Sequence, residues 1–267
     1  MSSIAILESW FQKTPKVLVA LSGGVDSCLV AFLSRRFLGK ASAPAVISVS
    51  ASLKSRDLLI AREFCDKYDI YLEEISGQEV HDENYLSNPV NRCFYCKSAL
   101  YTSLRGITDN GKYSGYTIIN GNNLSDTGDY RPGLKAAKDY SARSPLIECE
   151  ITKEEIRGLA KSFDLFVWNK PASPCLSSRF PYGERISLDK LRQVEQAEDY
   201  LIRLGYPDSR VRYYGEMARI EVASDQVEKL KTDMPAISNY FSEIGFSKCE
   251  VDEEGLVSGK LNRNVVL

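Results

Sequence analysis

No apolar stretch in the 267 residues reaches the 18 or more residues that a membrane-spanning helix needs. The first 11 residues include Glu8 and lack the basic start and the small-residue cleavage site of a secretory signal. Neither sign of charge is in large excess, since 34 Lys and Arg stand against 36 Asp and Glu. We therefore expect a cytoplasmic protein that has neither a membrane partner nor a nucleic-acid partner.

Two cofactor motifs are also missing. The sequence contains no G-x-G-x-x-G, so nothing supports a dinucleotide redox cofactor. Residues 106–113 (GITDNGKY) imitate a P-loop, but Tyr113 replaces the Ser or Thr that would bind Mg²⁺, and no strand precedes them. We interpret this segment as a turn at the end of a helix.

The seven cysteines are an odd number in a chain without secretory features, which argues against a disulfide framework. Cys93 and Cys96 form a C-x-x-C and are the only two at a spacing typical of metal ligands. Cys175 lies far along the chain, among prolines. The remaining four have no such spacing, and we expect them to be small buried apolar residues. They are Cys28, Cys65, Cys149 and Cys249.

The first part of the chain alternates predicted strands with predicted helices. Strands are predicted at 16–21, 45–50, 70–75 and 116–123. Helices are predicted at 28–38, 55–68, about 97–108 and about 153–162. This alternation predicts an α/β fold with a parallel sheet covered by helices on both faces. The last of these strands ends in polar residues, where a parallel sheet usually places its site.

The pattern changes after residue 168. Residues 169–183 contain three prolines and resist regular structure, so we interpret them as an active-site loop and a hinge. Beyond them, helices are predicted at 188–204 and before about 245, with strands at 210–214, 219–222 and 248–251. The sequence therefore predicts an α/β domain over 1–168, a loop and hinge over 169–187, and a smaller α+β domain over 188–267.

The strongest signal for function follows the first predicted strand. It is the segment Ser22, Gly23, Gly24, Val25, Asp26 and Ser27. Two glycines let backbone N–H groups turn inward, the serine hydroxyls add donors, and the next helix points its positive end at the loop. An ordinary glycine-rich turn would need neither the serines nor the strand. We predict a polyphosphate site in which Asp26 binds a bridging Mg²⁺ ion.

The cysteines leave several interpretations open. Cys93, Cys96 and Cys175 could ligate an iron–sulfur cluster with one iron left open, or a zinc ion. Only His81 could complete a zinc site of three cysteines and one histidine, and a solvated loop position is its more ordinary role. A single C-x-x-C is also compatible with a redox pair or with chance.

The segment SGGVDS resembles the pyrophosphatase loop of the ATP-pyrophosphatase (PP-loop) superfamily, whose domain is adenine nucleotide alpha-hydrolase-like. Along the whole chain, further segments resemble the LarE family of ATP-dependent sulfur transferases, which make the nickel-pincer nucleotide cofactor. The matching segments are NRCFYCK (91–97), GNNLSDTGDYRPGLKAA (121–137), ARSPL (142–146), WNKPASPCLSSRFPYGERIS (168–187) and RVRYYGEMARIE (210–221). Ordered agreement of this kind is highly specific.

The resemblance implies a reaction and its cofactors. ATP, held with Mg²⁺, adenylates the carboxylates of pyridinium-3,5-biscarboxylic acid mononucleotide, and sulfur then converts them to thiocarboxylates. Some members of the family sacrifice a cysteine sulfur, whereas members with three cysteines carry sulfide on a 4Fe–4S cluster. Cys93, Cys96 and Cys175 indicate the second branch. The partners implied are a sulfide source and further copies of the chain in a trimer or hexamer.

The resemblance fits roles that the residues themselves indicate, and we expect three catalytic residues: Asp26, Lys97 and Cys175. Further ATP contacts are expected from Asp126, Asp129 and Arg131. Substrate contacts are expected from Ser178, Arg179, Glu184, Arg210, Arg212 and Glu221. Each of these expectations has a competing interpretation. The two glutamates could form surface salt bridges, and the 121–133 segment could be a polar loop. Arg210 and Arg212 alternate on one face of a predicted strand and could be exposed side chains on an edge strand.

Two other functions remain open at this point. A PP-loop tRNA thiolase would use the same ATP chemistry, but it would need a basic nucleic-acid platform that the charge balance does not indicate. A nucleotide-binding protein with a structural zinc clip would use the three cysteines without catalysis.

Overall fold

The computed structural model of the chain describes residues 2–125, 132–257 and 259–263. These residues form two compact units. The first contains the chain up to Glu79 together with Asn91–Ser173, and the second contains Val80–Val90 together with the chain from Pro174 onward. The sequence did not indicate that residues 80–90 belong with the second unit.

Both units contain helices. In chain order they are α1 (Ser3–Gln12), α2 (Val25–Leu38), α3 (Ser55–Lys67), α4 (Glu83–Leu86), α5 (Arg92–Asp109), α6 (Pro132–Asp139), α7 (Pro145–Glu148), α8 (Lys153–Ser162), α9 (Leu188–Arg203) and α10 (Val227–Glu243). Among the residues that the structure describes, none of these helices combines the length and the apolar character needed to cross a membrane.

The first unit is built on a parallel sheet, which confirms the predicted fold class. Its strands are β1 (Val17–Ala20), β2 (Ala45–Val49), β3 (Leu72–Ser76) and β4 (Thr117–Ile119), in the order β3-β2-β1-β4. The strands are shorter than the predicted runs. β4 in particular ends before the segment 120–123, of which Asn120, Gly121 and Asn122 form part of the site described below.

Helices cover both faces of this sheet, and β1 shows why its sequence is continuously apolar. Val17 and Val19 pack into a core shared with α1, α2, α3 and α8, whereas Leu18 packs into a second core with α5 and α6. Alternate side chains of one strand point to opposite faces, so a strand covered on both sides has no polar face.

The second unit contains a three-stranded sheet of β5 (Arg210–Tyr214), β6 (Met217–Glu221) and β7 (Lys248–Val251), in that order. β5 and β6 are antiparallel, and Tyr214 pairs with Met217, so only two residues form the turn. Gly215 in this turn has a φ of +66°, which a glycine adopts without strain. This short turn places β6 two residues earlier than the predicted strand. β7 then returns parallel to β6 after helix α10.

Segment 80–90 joins the second unit through hydrogen bonds to residues about a hundred positions later. The Asn88 side chain donates to the Pro181 carbonyl at 2.7 Å, and the Asn88 carbonyl accepts from the Gly183 N–H at 2.9 Å. The Ile186 N–H donates to the Leu86 carbonyl at 2.9 Å. These bonds tie the last part of the predicted loop, residues 181–186, to the end of α4 and the residues after it.

Candidate active site

The glycine loop joins β1 to α2 in a turn held by its own serines. The Ser27 hydroxyl oxygen accepts from the Ser22 N–H at 3.2 Å and donates to the Gly24 carbonyl at 3.1 Å. Gly23 has a φ of +72°, and a Cβ there would lie 2.7 Å from the Asp57 carbonyl oxygen, so only glycine fits. The loop leads into the N-terminus of a 14-residue helix, whose N–H groups and dipole favour an anion.

A cavity of about 210 Å³ lies beside this loop, at the carboxyl ends of β1 and β4. Its lining includes Ser22, Asp26 and Ser27 of the loop, Lys97, Leu100 and Tyr101 of α5, and Asn120, Gly121 and Asn122 after β4. Gly121 is packed so closely that a Cβ there would lie 2.5 Å from the Ser27 nitrogen. Parallel sheets hold their ligands at this edge.

Helix α5 brings the C-x-x-C motif towards the same cavity. Cys93 is exposed and Cys96 half-buried, and both lie in the first turns of α5. Lys97, which lines the cavity, follows Cys93 by four residues. Residues four apart in a helix lie on one face, one turn from each other. The helix therefore carries Cys93 and Lys97 on a common face within the first unit.

Asp26 in the first turn of α2 forms an ion pair that the sequence did not indicate. The Lys153 ammonium donates to both of its carboxylate oxygens, at 2.5 and 2.6 Å, and both side chains are partly exposed. Lys153 occupies the first turn of α8, after the N-cap Thr152. A cation there opposes the helix dipole, which is the one local sign that this lysine has a role outside its own helix.

The segment after β4 forms a buried polar wall of the cavity. Asn120, only 5% exposed, donates from Nδ2 to the Tyr101 hydroxyl at 3.1 Å, and its Oδ1 accepts from the Ser144 hydroxyl at 2.8 Å and from the Asn122 N–H at 3.0 Å. The predicted ATP contacts farther along this segment lie outside the described residues. They are Asp126, Asp129 and Arg131.

In the second unit, Cys175 is half-buried and precedes the 3₁₀ turn Leu176–Arg179. Its carbonyl accepts from the Ser178 hydroxyl at 2.8 Å. Ser177, which directly precedes Ser178, is fully buried, and its hydroxyl lies 2.5 Å from the Tyr85 hydroxyl. The backbone around Cys175 is therefore held by side chains from its own turn and from α4.

Arg179 and Arg212 are buried, and each forms an ion pair with a glutamate. Arg179 contacts Glu198 through two bonds of 2.6 and 2.9 Å, and Arg212 contacts Glu221 through two bonds of 2.9 and 2.8 Å. The remaining Nη1 of Arg212 donates to the Ser178 carbonyl at 2.7 Å. Arg212 is 4% exposed and Arg179 only 1% exposed. Two of the expected substrate contacts, Arg212 and Glu221, thus bind each other.

Arg210 differs from its neighbours because it has no counter-ion. It is partly exposed, and within the described part of the chain its guanidinium forms no ion pair or hydrogen bond. Burial lowers the pKa of Arg210, and the nearby charges of Arg179 and Arg212 lower it further, while the charges of Glu221 and Glu198 act in the opposite direction without reversing the shift. A cation with no carboxylate bonded to it, beside two arginines that are paired with glutamates, is a position at which an anion is favoured.

Glu184, another expected substrate contact, forms a salt bridge. Its carboxylate accepts from the Lys190 ammonium at 2.6 Å, and that ammonium also donates to the Arg185 carbonyl at 2.9 Å. Both side chains of the pair are about 30% exposed, and such pairs add little to stability. This is the surface salt bridge that the sequence left open as an alternative.

The remaining cysteines divide into two groups. Cys28 and Cys65 are buried in the core, as predicted, and burial raises the pKa of the Cys65 thiol to about 12. Cys149 and Cys249 are half-buried, contrary to the prediction. Cys149 follows the short helix α7, and Cys249 lies on the edge strand β7 with its Sγ 3.1 Å from the Ser238 hydroxyl.

Of the predicted metal ligands, Cys93 and Cys96 belong to the first unit and Cys175 to the second. Within the ranges that the structure describes, no three His, Cys, Asp or Glu side chains are grouped to hold a metal ion. His81, considered for a zinc site, is exposed at the end of the short turn Glu79–His81. A metal set of three cysteines therefore stays a prediction from the sequence.

Comparisons with known proteins agree with the glycine loop and extend beyond it. A family model described as NAD synthase matches residues 5–85. An uncharacterized protein of Synechocystis sp. is 42% identical over 98% of this chain and 97% of its own length. The pyridinium-3,5-bisthiocarboxylic acid mononucleotide synthase of Lactiplantibacillus plantarum is 32% identical over 97% of this chain and 93% of its own. An uncharacterized protein of Methanocaldococcus jannaschii is 28% identical over 91% of both chains.

Proposed function

The chain belongs to the LarE family of PP-loop ATP-dependent sulfur transferases, and from that membership we propose that its substrate is pyridinium-3,5-biscarboxylic acid mononucleotide. The relative from Lactiplantibacillus plantarum is named as the synthase of the corresponding bisthiocarboxylic acid. Two rounds of the same reaction on this substrate would give that product. We further propose that the reaction takes place in the cytoplasm, in a homo-oligomer.

The proposed chemistry consists of two displacements. A carboxylate oxygen of the substrate attacks the α-phosphorus of ATP, the bond between the α-phosphorus and the bridging oxygen breaks, and pyrophosphate leaves with the electron pair. A sulfide equivalent then attacks the acyl carbon, the bond to AMP breaks, and a thiocarboxylate remains. Sulfur keeps its oxidation level, so no electron donor or acceptor is required.

The observation that carries this proposal is the position of Lys97. It lines the cavity beside the glycine loop, and it follows Cys96 directly and Cys93 by one helical turn. A single helix thus joins a cation at the nucleotide cavity to two thiols. This juxtaposition supports adenylation and sulfur delivery at one site. Lys97 is well placed to neutralise phosphate charge as the adenylate forms.

We propose that Asp26 holds the Mg²⁺ ion that accompanies ATP. Its carboxylate provides the hard oxygen ligands that Mg²⁺ prefers, and it lines the cavity at the start of α2. The Lys153 ammonium neutralises this carboxylate in the structure. When nucleotide is bound, Mg²⁺ would supply charge neutralisation of the phosphates, while Lys153 offers a second cation beside them.

In the second unit, we propose that Arg210 binds the phosphate of the mononucleotide. Its guanidinium has no counter-ion among the described residues, whereas those of Arg179 and Arg212 are neutralised by glutamates. The two buried pairs hold β5 and the 3₁₀ turn together, because Arg212 donates to the Ser178 carbonyl. Arg179 and Arg212 then position Arg210 and Ser178 rather than supplying the free charge.

We propose that Cys93, Cys96 and Cys175 hold the sulfur carrier, a 4Fe–4S cluster. The donor chemistry fits, because thiolates are the usual ligands of such clusters, and two of the three lie three residues apart in one helix. None of the three is buried, unlike Cys28 and Cys65. When bound, the cluster would supply sulfide at an iron that lacks a protein ligand.

Metal analysis tests the sulfur carrier. Anaerobically purified protein is expected to contain about four iron and four labile sulfide atoms per chain. Cys175→Ala and Cys93→Ala should lose both the iron and the formation of thiocarboxylate, yet still bind ATP. Cys249→Ala is the matched control, since Cys249 is a half-buried thiol of the second unit, and it should retain iron and turnover.

Other results would identify a different function. Zinc without iron or sulfide, together with no pyrophosphate release in the presence of the pyridinium mononucleotide, would indicate a zinc-clipped nucleotide-binding protein. Tight, salt-dependent binding of tRNA would indicate a tRNA thiolase. If the mass of the polypeptide falls by one H₂S per turnover, the sulfur comes from a sacrificed cysteine and not from a cluster.

A further inference from the structure

A largely buried lysine ties the glycine loop to the proline-containing segment of the first unit. The Lys170 ammonium donates to the Gly23 carbonyl at 2.7 Å and to Asp57 Oδ1 at 2.8 Å. The Ser173 hydroxyl donates to the other Asp57 oxygen at 2.8 Å. The side chains of Lys170 and Asp57 are 14% and 8% exposed, so this ion pair is largely withdrawn from water. A charge withdrawn in this way is held in one position by its partners.

The backbone of Lys170 is anchored independently of its side chain. The Lys170 carbonyl accepts from Arg157 Nη2 at 3.0 Å, and the Lys170 N–H donates to the Val167 carbonyl at 3.0 Å. Arg157 belongs to α8 and also donates to the Trp168 carbonyl at 2.9 Å. The backbone of Lys170 is therefore held in place while its side chain reaches the glycine loop.

The contact at Gly23 determines the direction of the next N–H group. The Gly23 carbonyl and the Gly24 N–H belong to one trans peptide, so they point in opposite directions. With the carbonyl held towards Lys170, the Gly24 N–H points away from Lys170. This N–H donates to no acceptor within the described ranges of the chain.

The two sides of the glycine loop face different neighbours. Asp57, at the start of α3, lies close to Gly23, since a Cβ at Gly23 would be 2.7 Å from the Asp57 carbonyl oxygen. Neither Asp57 nor Lys170 lines the cavity, which lies at the end of β4, where Gly121 packs against Ser27. With the Gly23 carbonyl held towards Lys170, the Gly24 N–H faces away from Lys170 and Asp57, and Ser22 and Ser27 on either side of the glycines line the cavity.

We propose that Lys170 is a positioning residue for ATP, which with Asp57 holds the Gly23–Gly24 peptide so that the Gly24 N–H faces the polyphosphate. This inference rests on the use of ATP by the PP-loop and is independent of the sulfur acceptor. A lysine that acted only as an attractive charge would behave differently. In that case, removing the charge of Asp57 would tighten ATP binding, whereas a positioning role requires that it weaken.

The test is calorimetric titration of the full chain with Mg·ATP and with adenosine. Asp57→Asn and Lys170→Met are each expected to raise the Kd of ATP about 10-fold, the effect of losing one hydrogen bond to a charged group, with the Kd of adenosine unchanged. Because adenosine has no phosphates, a loss confined to ATP assigns the effect to the phosphate site. Lys170→Arg should recover part of the affinity.

Two further variants complete the test. Asp69→Asn is the matched control, since Asp69 pairs with Arg35 and Lys40 at the surface of the same unit, and it should bind both ligands normally. If Asp57→Asn does not fold, Ser173→Ala removes only the hydrogen bond to Asp57 and should weaken ATP binding about 2-fold to 3-fold.

Two results would overturn the role of Lys170. The first is unchanged or tighter ATP binding by the folded Asp57→Asn protein, or by Ser173→Ala if Asp57→Asn does not fold. The second is a loss of adenosine binding as large as the loss of ATP binding. A wild-type chain that binds no ATP would instead count against the proposed function.

Discussion

The chemistry of the second unit depends on which arginine has no carboxylate bonded to it. Sequence alternation on β5 made Arg210 and Arg212 equivalent, since residues two apart in a strand point to the same face. Their surroundings make them different, because Glu221 neutralises Arg212 and no described carboxylate binds Arg210. A buried pair of this kind costs desolvation energy and is better suited to holding geometry than to binding a ligand.

We therefore predict that Arg210→Met weakens recognition of the mononucleotide. Losing a charge-assisted contact to phosphate costs about 1.5–3 kcal/mol, so KM for the mononucleotide should rise between about 10-fold and 150-fold, with the Kd of ATP unchanged. Steady-state kinetics and ATP titration measure the two effects. Arg219→Met is the control, because Arg219 lies on neighbouring β6 and pairs with Glu250. An unchanged KM in Arg210→Met would remove Arg210 from the phosphate site.

At the scale of elements, the nucleotide cavity depends on how closely the chain after β4 approaches the start of α2. Gly121 permits this approach, because a Cβ there would lie 2.5 Å from the Ser27 nitrogen and 2.7 Å from its Cα. Real Cβ atoms do not come so near to backbone, so any side chain at 121 must separate β4 from the glycine loop. The wall of the cavity and the loop would then move together.

We predict that Gly121→Ala lowers the free energy of unfolding by about 1–3 kcal/mol through overpacking and weakens ATP binding at least about 10-fold. Gly106→Ala is the control. Gly106 lies inside α5 with nothing within 4 Å of the added Cβ, so this change should raise the free energy of unfolding by about 0.4–1 kcal/mol. Denaturant unfolding and ATP titration distinguish the two variants. Normal ATP binding by Gly121→Ala would show that the close approach is not required.

At the scale of the whole molecule, carboxyls whose pKa values are lowered by their partners predict how stability depends on pH. At Glu148 burial acts to raise the pKa, but hydrogen bonds from Arg143 and Trp10 outweigh it, so the pKa lies below its ordinary value of 4.5. Several further carboxyls, exposed or partly exposed so that each adds little to stability, also have lowered pKa values. They are Asp69, Glu73, Glu74, Glu83, Glu155, Glu250 and Glu254.

The direction of these shifts predicts how stability depends on pH. A carboxyl with a lowered pKa stabilises the fold fully above its unfolded pKa and loses that contribution as the pH falls through its folded pKa. The buried Cys65 thiol has a raised pKa, so its contribution is lost as the pH rises above the ordinary thiol value of 9.0. We predict that Tm falls below about pH 4.5 and again above about pH 9. A Tm that stays constant from pH 6 to pH 3 would contradict the predicted loss of stability in acid.

Glu148→Gln tests the predicted loss of stability in acid at one residue. It removes the carboxylate that pairs with Arg143 while keeping an acceptor for Trp10. The variant should be less stable than the wild type near pH 7 and should approach it near pH 3, where the wild-type carboxyl is protonated. Thermal unfolding at both pH values measures the difference. An equal difference at the two pH values would mean that the effect does not arise from ionisation.

The sequence by itself determined those features whose physical cause is local. The glycine loop lies within one strand, turn and helix, so its residues and their spacing were readable directly. The apolar runs of the first sheet predicted parallel strands, because a strand covered on both faces has no polar side. The ordered motifs, from SGGVDS to RVRYYGEMARIE, were enough to indicate the family.

Only the tertiary structure decided which side chains surround that loop. Lys153 reaches Asp26 across 127 residues, and Lys170 reaches Gly23 across 147. Helix α8 packs with α2 in one core of the first unit, and this packing brings these segments together. The spacing of residues within one element does not predict such packing. The same holds for the pairing of Arg212 with Glu221, which separated Arg210 from an apparently equivalent neighbour. Local patterns specify elements, whereas the partners of a charge depend on which elements the fold places side by side.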